Sequence, residues 1–207
     1  MLEEEKIGLF LESLCSSSPT PGGGAVSGLC AASAAALGAM VAALSQGKKY
    51  TAIRGQMAEW QEKFASKSLE FLELGEQDVK AFQKVMAAYR MPRENPLDRQ
   101  TAIQAALKQA SLIPLQLARG MIELSPGIQF LAINGNRNVL SDVGVASSAA
   151  EAALASAHIN VLVNLMAMKD RQFAAEMHQI LQQEVIPARG EFRQQTESII
   201  KALEGGI

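Results

Sequence analysis

Three consecutive glycines, Gly22-Gly23-Gly24, run straight into Ala25–Leu44, a stretch without one charged residue. This junction limits the chain more than any other feature. A segment of that length with no polar face must be covered on nearly all sides, or sit in lipid. Its residues are mostly Ala, Gly and Ser, with few Leu or Ile, so its transfer into a bilayer is poor. The reading is therefore a buried helix of a soluble, cytoplasmic protein, with no membrane partner. Only 5% of residues are aromatic, which starves a β-sandwich and suits close-packed helices. The acidic start, Met1-Leu2-Glu3-Glu4-Glu5-Lys6, is not that of a signal peptide. A net charge of −2 supplies no basic footprint for nucleic acid. Cys15 and Cys30 form neither a disulfide framework nor a metal knuckle.

Helix punctuation divides the rest. A short amphipathic helix is expected from about Leu2 to Leu14, broken by Cys15–Gly24. The second covers about Ala25 to Gln46 and stops at Gly47. A long helix runs from about Thr51 to Arg90, before Met91-Pro92. Asn95-Pro96 starts another, to Leu124, with a kink at Pro114. Ser125-Pro126 repeats that start signal, and Asn134-Gly135-Asn136 is a turn. Further helices span about Asn138 to Met168 and, capped by Asp170, on to about Leu203, bent near Pro187. No composition shift divides the 207 residues. The expectation is an all-α, single-domain antiparallel bundle (1–207) with long, kinked helices.

Three constellations stand out. The glycine run offers free backbone N–H groups at a helix start, suited to carbonyls and carboxylates; a plain connector is the alternative. It lacks the Lys-Ser/Thr of a phosphate-binding loop. Second, Phe71, Gly75, Asp78, Phe82, Val85 and Tyr89 recur at steps of three and four, one helix face. Asp78 thus lies on an apolar stripe, where desolvation raises a carboxyl pKa and makes it a proton shuttle near neutrality. A structural ion pair is the alternative. Glu73 and Glu76 fall off the stripe. Third, Asp142, Ala146, Ala149, Ala153, Ala157, Asn160 and Asn164 share a face of small residues with polar ends. First-turn placement explains Asp142 equally well, and hydrogen bonding within the bundle explains the two amides. His158 reads as packed and His178 as surface, and no His, Asp or Glu set has metal-ligand spacing. The second helix has a small face (Ser27, Ala31, Ala34, Gly38, Ala42, Ser45) opposite Val26, Leu29, Leu37, Met40 and Leu44. It belongs at the bundle centre or against a second subunit.

Ser18-Pro19-Thr20-Pro21-Gly22-Gly23-Gly24-Ala25-Val26-Ser27, the Ala/Gly-rich helix and Gly47-Lys48-Lys49-Tyr50 resemble the cyclodeaminase/cyclohydrolase family, that of the C-terminal domain of formimidoyltransferase-cyclodeaminase. Asp78-x-x-Ala81-Phe82 with Met91-Pro92 looks like a second motif of that family. Gly135-Asn136, Ser141-Asp142 and Val161-Leu162-Val163-Asn164-Leu165 look like a third. The resemblance covers nearly the whole chain, in order. It implies an all-α homodimer acting on tetrahydrofolate at the one-carbon bridge between N5 and N10, without metal or redox cofactor. Cyclohydrolases interconvert the 5,10-methenyl and 10-formyl forms with water; cyclodeaminases close the 5-formimidoyl form and release ammonia. The family's catalytic aspartate falls on Asp78. On this hypothesis Ser18, Gly22, Gly23 and Gly24 line the folate site, Asp142, Asn160 and Asn164 orient the pterin, and Lys48, Lys49 and Arg137 hold the glutamate tail. The transferase half of the fused enzyme has no counterpart here, which favours a stand-alone cyclohydrolase over a cyclodeaminase. A non-catalytic helical dimer that binds a folate or a protein is the competing class, and it expects Asp78 paired and inert.

Overall fold

The computed structural model describes residues 6–205, and among them helices are the only regular structure. Helix α1 is Ile7–Leu14 and α2 is Gly23–Ala43. A 3₁₀ segment, Lys48–Ile53, leads into α3, Arg54–Arg90. Helix α4 is Pro96–Ile122, and α5 is Ser125–Asn134. The 3₁₀ turn Arg137–Val139 opens α6, Leu140–Met166. Helix α7, Arg171–Ile180, passes through a π-helical turn, Leu181–Val185, into α8, Ile186–Glu204.

Several boundaries differ from the sequence expectation. The part of the first helix placed on residues 1–5 lies outside the described residues, and the rest starts at Ile7. Gly23 and Gly24 are helical rather than part of the preceding loop. The third helix starts three residues late because Lys48–Ile53 coils more tightly. Asn95 sits at the cap position of α4 without a side-chain cap bond. Asp170 does cap α7, accepting from the Phe173 N–H at 3.0 Å. Pro114 stays inside an unbroken α4. At Pro187, which has no N–H for the carbonyl four residues back, the π-helical turn precedes the proline.

Helix α2 threads the bundle between α3 and α6. Its small face is wholly buried. A Cβ on Gly28 would stand 2.7 Å from the Phe71 carbonyl and 2.9 Å from Gly75 Cα, and one on Gly38 would stand 2.8 Å from the Phe64 ring. Absent side chains thus let α2 and α3 approach backbone to backbone. On the other flank, Ser27 Oγ donates to the Ala153 carbonyl of α6 at 3.2 Å. Phe64, Phe71, Leu154, Leu181 and Phe192 fill the core around this centre. The opposite face of α2 stays open: Leu29 and Leu37 are half-buried, while Met40 and Leu44 are exposed. One copy of the chain therefore leaves one face of this uncharged helix uncovered.

Candidate active site

Helices α2 and α6 run antiparallel, so the start of one meets the end of the other. At that end of the bundle lies a cavity of about 360 Å³, bounded by Pro19, Thr20, Gly22–Gly24, α3, α4 and the last turns of α6. Its volume falls within the usual range for small-molecule sites, ~300–1,000 Å³. Asp78 from α3, Asn160 and Asn164 from α6, and the glycine run of α2 all face it. Phe82, Val85, Met86 and Tyr89 form its apolar wall. The stripe inferred from the spacing along α3 thus divides. Phe71 and Gly75 belong to the core, while Asp78 and the residues after it wall the cavity.

Asp78 is half-buried, and among the described residues it has no ion-pair or hydrogen-bond partner. Burial pushes its carboxyl up to about 6. Its nearest constraint is the backbone of α2. A Cβ on Gly24 would lie 1.8 Å from Asp78 Oδ2 and 2.1 Å from its Cγ. Only glycine lets the first turn of α2 close on that carboxyl. Gly23, Gly24 and Ala25 sit in that first turn, where N–H groups have no intrahelical acceptor. The positive end of the helix and the carboxyl therefore share one wall.

The two amides are held differently. Asn160 Oδ1 lies 3.4 Å from the Cβ position of Gly23, and its Nδ2 is buried without a partner. Asn164 Nδ2 donates to the Asn160 carbonyl at 2.9 Å and to the Ala110 carbonyl of α4 at 3.2 Å. Ala110 is the residue whose carbonyl Pro114, four positions on, cannot serve. The proline that the sequence marks as a kink thus frees an acceptor that anchors Asn164. With both amide hydrogens used, Asn164 Oδ1 remains as a fixed acceptor.

The remaining sequence candidates lie elsewhere. Ser18 Oγ donates to the Thr20 carbonyl at 2.7 Å, folding the loop so that Pro19 and Thr20, not Ser18, border the cavity. Asp142 precedes Asn160 by five turns of α6, roughly 27 Å at 1.5 Å per residue. Lys48 and Lys49 follow the far end of α2, roughly 30 Å from Gly24 on the same rise. Arg137 borders another cavity, of about 590 Å³, between α5, α6 and α8. The Gly135-Asn136 pair closes the far end of α2: the Asn136 N–H donates to Ser45 Oγ at 2.9 Å, and its Nδ2 donates to the Leu44 carbonyl at 3.2 Å. His158 is half-buried, and burial, then the charges of Arg189 and His178, push its pKa down. His178 is exposed. The helix spacing already placed Phe82, Val85 and Tyr89 on this wall; sequence reasoning missed Met86 beside them and the Pro114 anchor. The anchor's only signal was a proline four residues beyond a carbonyl facing α6.

The model of the formiminotransferase-cyclodeaminase family matches residues 6–183. The chain belongs to this family. A methenyltetrahydrofolate cyclohydrolase of Methylorubrum extorquens is 40% identical over 85% of this chain and 86% of its own length. The formimidoyltransferase-cyclodeaminase of Sus scrofa is 34% identical over 82% of this chain, which spans about a third (32%) of that protein. Among solved structures, a formiminotetrahydrofolate cyclodeaminase from Thermotoga maritima superimposes with a TM-score of 0.86 at 30% identity, covering 99% of this chain and 98% of that one. Within the family fold, the cavity beside Asp78 is where the first-motif glycines, the second-motif aspartate and Asn164 of the third motif converge, with Asn160 one turn before it.

Proposed function

We propose that this chain is a 5,10-methenyltetrahydrofolate cyclohydrolase with Asp78 as its proton shuttle. The observation that carries the reading is an unpaired carboxyl, raised to about 6, in a cavity with two amides and a helix start. The Methylorubrum relative, matched over nearly its whole length, supports the choice of water as nucleophile. Asp78 takes a proton as water adds to the bridging carbon, giving a tetrahedral carbon that bears a hydroxyl. It then protonates N5 as the C–N5 bond breaks; the hydroxyl loses its proton to solvent, and the formyl group stays on N10. Asn164 Oδ1, as a fixed acceptor, orients a donor of the pterin edge, and Asn160 Nδ2 supplies a donor. Both groups and the α2 amides are set before substrate enters, the preorganisation such a step needs.

A second reading, 5-formimidoyltetrahydrofolate cyclodeaminase, is favoured by the Thermotoga structure, a cyclodeaminase of this length. There Asp78 would take the N10 proton as N10 attacks the formimidoyl carbon, and deliver it to the departing ammonia. An assay of both folates side by side separates the two. Loss of the methenyl absorbance with water alone supports the cyclohydrolase. Its appearance from the formimidoyl form with ammonia release, and no hydrolysis, supports the cyclodeaminase. Neither change overturns both and leaves a binding module.

The same proposal includes a homodimer built on the open face of α2. That face exposes Met40 and Leu44, and neighbouring α6 exposes Ile159 and Val163, at 65% and 58%. By length and composition both helices could cross a membrane, yet over half of the apolar window of α2, 56%, is already buried in the bundle. A second copy is the covering such a face requires. Sedimentation of the protein in detergent-free buffer tests this; a monomer at every concentration, or insolubility, overturns it. No resident cofactor and a cytoplasmic location complete the proposal.

A further inference from the structure

Next to the Asp78 cavity is a second cleft of about 420 Å³, and the two share Tyr89 and Ala167. Arg93, Arg99 and Lys169 line it, and none of its lining residues is acidic. Among the described residues no carboxylate pairs with any of the three. Arg99 is the most constrained. Its Nη2 donates to the Tyr89 carbonyl at 2.8 Å, its guanidinium lies 6.0 Å from the Tyr89 ring centre, and its Nε is buried without a partner. A buried guanidinium N–H without an acceptor is costly, and a carboxylate oxygen is the acceptor it matches best. Gln104 braces the floor, accepting from the Lys169 N–H at 2.6 Å and donating to the Ala167 carbonyl at 3.1 Å.

We infer that this cleft binds the carboxylates of the folate glutamate tail, with the half-buried Arg99 as the anchor and Arg93 and Lys169 as exposed partners. The inference rests on the folate reading above and deepens it. A folate whose one-carbon bridge lies at Asp78 points its far, anionic end out of the first cavity, and Tyr89 and Ala167 border the way into this one. Lys48, Lys49 and Arg137, the cations that sequence alone suggested for the tail, stand at the other end of the bundle.

The test pairs a change in the protein with a matching deletion in the substrate. Arg93→Gln with Lys169→Gln, and separately Arg99→Gln, are assayed on 5,10-methenyltetrahydrofolate and on its glutamate-free pteroate counterpart. On the folate, KM rises about 10-fold for Arg99→Gln and about 3-fold for the exposed pair, with kcat unchanged. On the pteroate both effects vanish. Equal losses on the two substrates mean a structural role and overturn the inference. So does a glutamate-dependent loss in Lys48→Gln, Lys49→Gln, Arg137→Gln instead. Calorimetric titration of the unmutated protein with 5-formyltetrahydrofolate and its pteroate analogue keeps the two proposals apart. Absent turnover with glutamate-dependent binding sinks the catalytic reading and keeps the cleft; equal affinity for both ligands sinks the cleft.

Discussion

Gly24→Ala is the sharpest test of the site, because one methyl group meets the proposed catalytic carboxyl directly. The new Cβ would stand 1.8 Å from Oδ2, 2.1 Å from Cγ and 2.7 Å from Oδ1 of Asp78. Restoring ordinary contact requires a displacement of roughly 1.5 Å. The carboxyl can supply it by turning about χ1 into the cavity, so the fold need not yield. The gain of alanine over glycine within a helix, about 1 kcal/mol, offsets much of the residual strain. Stability should therefore change by less than about 1 kcal/mol, and Tm by under about 4 °C. Activity should not survive as well. A misplacement of about 1 Å at a reacting group costs on the order of 100-fold, and kcat is expected to fall by that factor. Gly28→Ala is the control. Its Cβ meets backbone, 2.7 Å from the Phe71 carbonyl, which cannot turn aside. That variant should lose about 1–3 kcal/mol on thermal unfolding. The assay is loss of the methenyl absorbance beside scanning calorimetry. A Gly24→Ala enzyme with unmutated kcat would falsify the claim that α2 places Asp78.

Other outcomes follow from the same contacts. Asp78→Asn should abolish turnover, and the kcat profile of the unmutated enzyme should fall below a pH of about 6, where the carboxyl takes up its proton. Because burial raises the folded pKa from 3.8 to about 6, the charged form weakens the fold. The stability present below the unfolded pKa is lost as pH rises through the folded one, so Asp78→Asn should gain on the unmutated protein between about pH 4 and pH 7, by on the order of 2 kcal/mol. Equal pH dependence of the two melting curves would refute this. Pro114→Ala returns an N–H to the Ala110 carbonyl and releases Asn164; KM should rise about 5-fold with no loss of Tm. An unchanged KM would show that the Asn164 anchor is idle. Arg119 meets Glu184 of the π-helical turn through two bonds, of 2.7 and 2.8 Å, on the surface far from the cavity. Arg119→Gln should lower Tm by no more than about 3 °C and leave kcat alone.

Much of the architecture was legible in the chain. Gly47, Pro92, Pro96 and Asp170 each mark a real helix boundary to within a few residues, because backbone sterics and caps act locally. Asp78 stood out for the same reason, since helix periodicity is local. What spacing could not reveal is which end of the bundle each residue occupies. Two of the three motifs straddle long antiparallel helices. Gly22–Gly24 and Gly47–Tyr50 sit at opposite ends of α2, as Arg137–Asp142 and Asn160–Asn164 do on α6. Residues contiguous in one motif therefore separate, and halves of different motifs meet. Lys48, Lys49 and Arg137 lie in or beside the family motifs and carry the charge a carboxylate tail calls for, whereas Arg99 belongs to no motif and enters through the fold of α4 across α3. Gly23 and Gly24 read as loop residues by propensity; packing against Asp78 and Asn160 draws them into α2.

The α2–α3 seam has a consequence for how this enzyme can vary. Gly24, Gly28 and Gly38 meet Asp78, Gly75 with Phe71, and Phe64 in succession. The Asp78 carboxyl is thus the last rung of a ladder roughly 20 Å long, whose spacing is set by missing methyl groups. An added carbon at a lower rung would spread the rails and carry the top rung with them. Drift in the middle of the bundle is then felt in stability and in the placement of Asp78 together, and the neutral substitutions open to this protein should lie on α1, α7 and α8 rather than along that ladder.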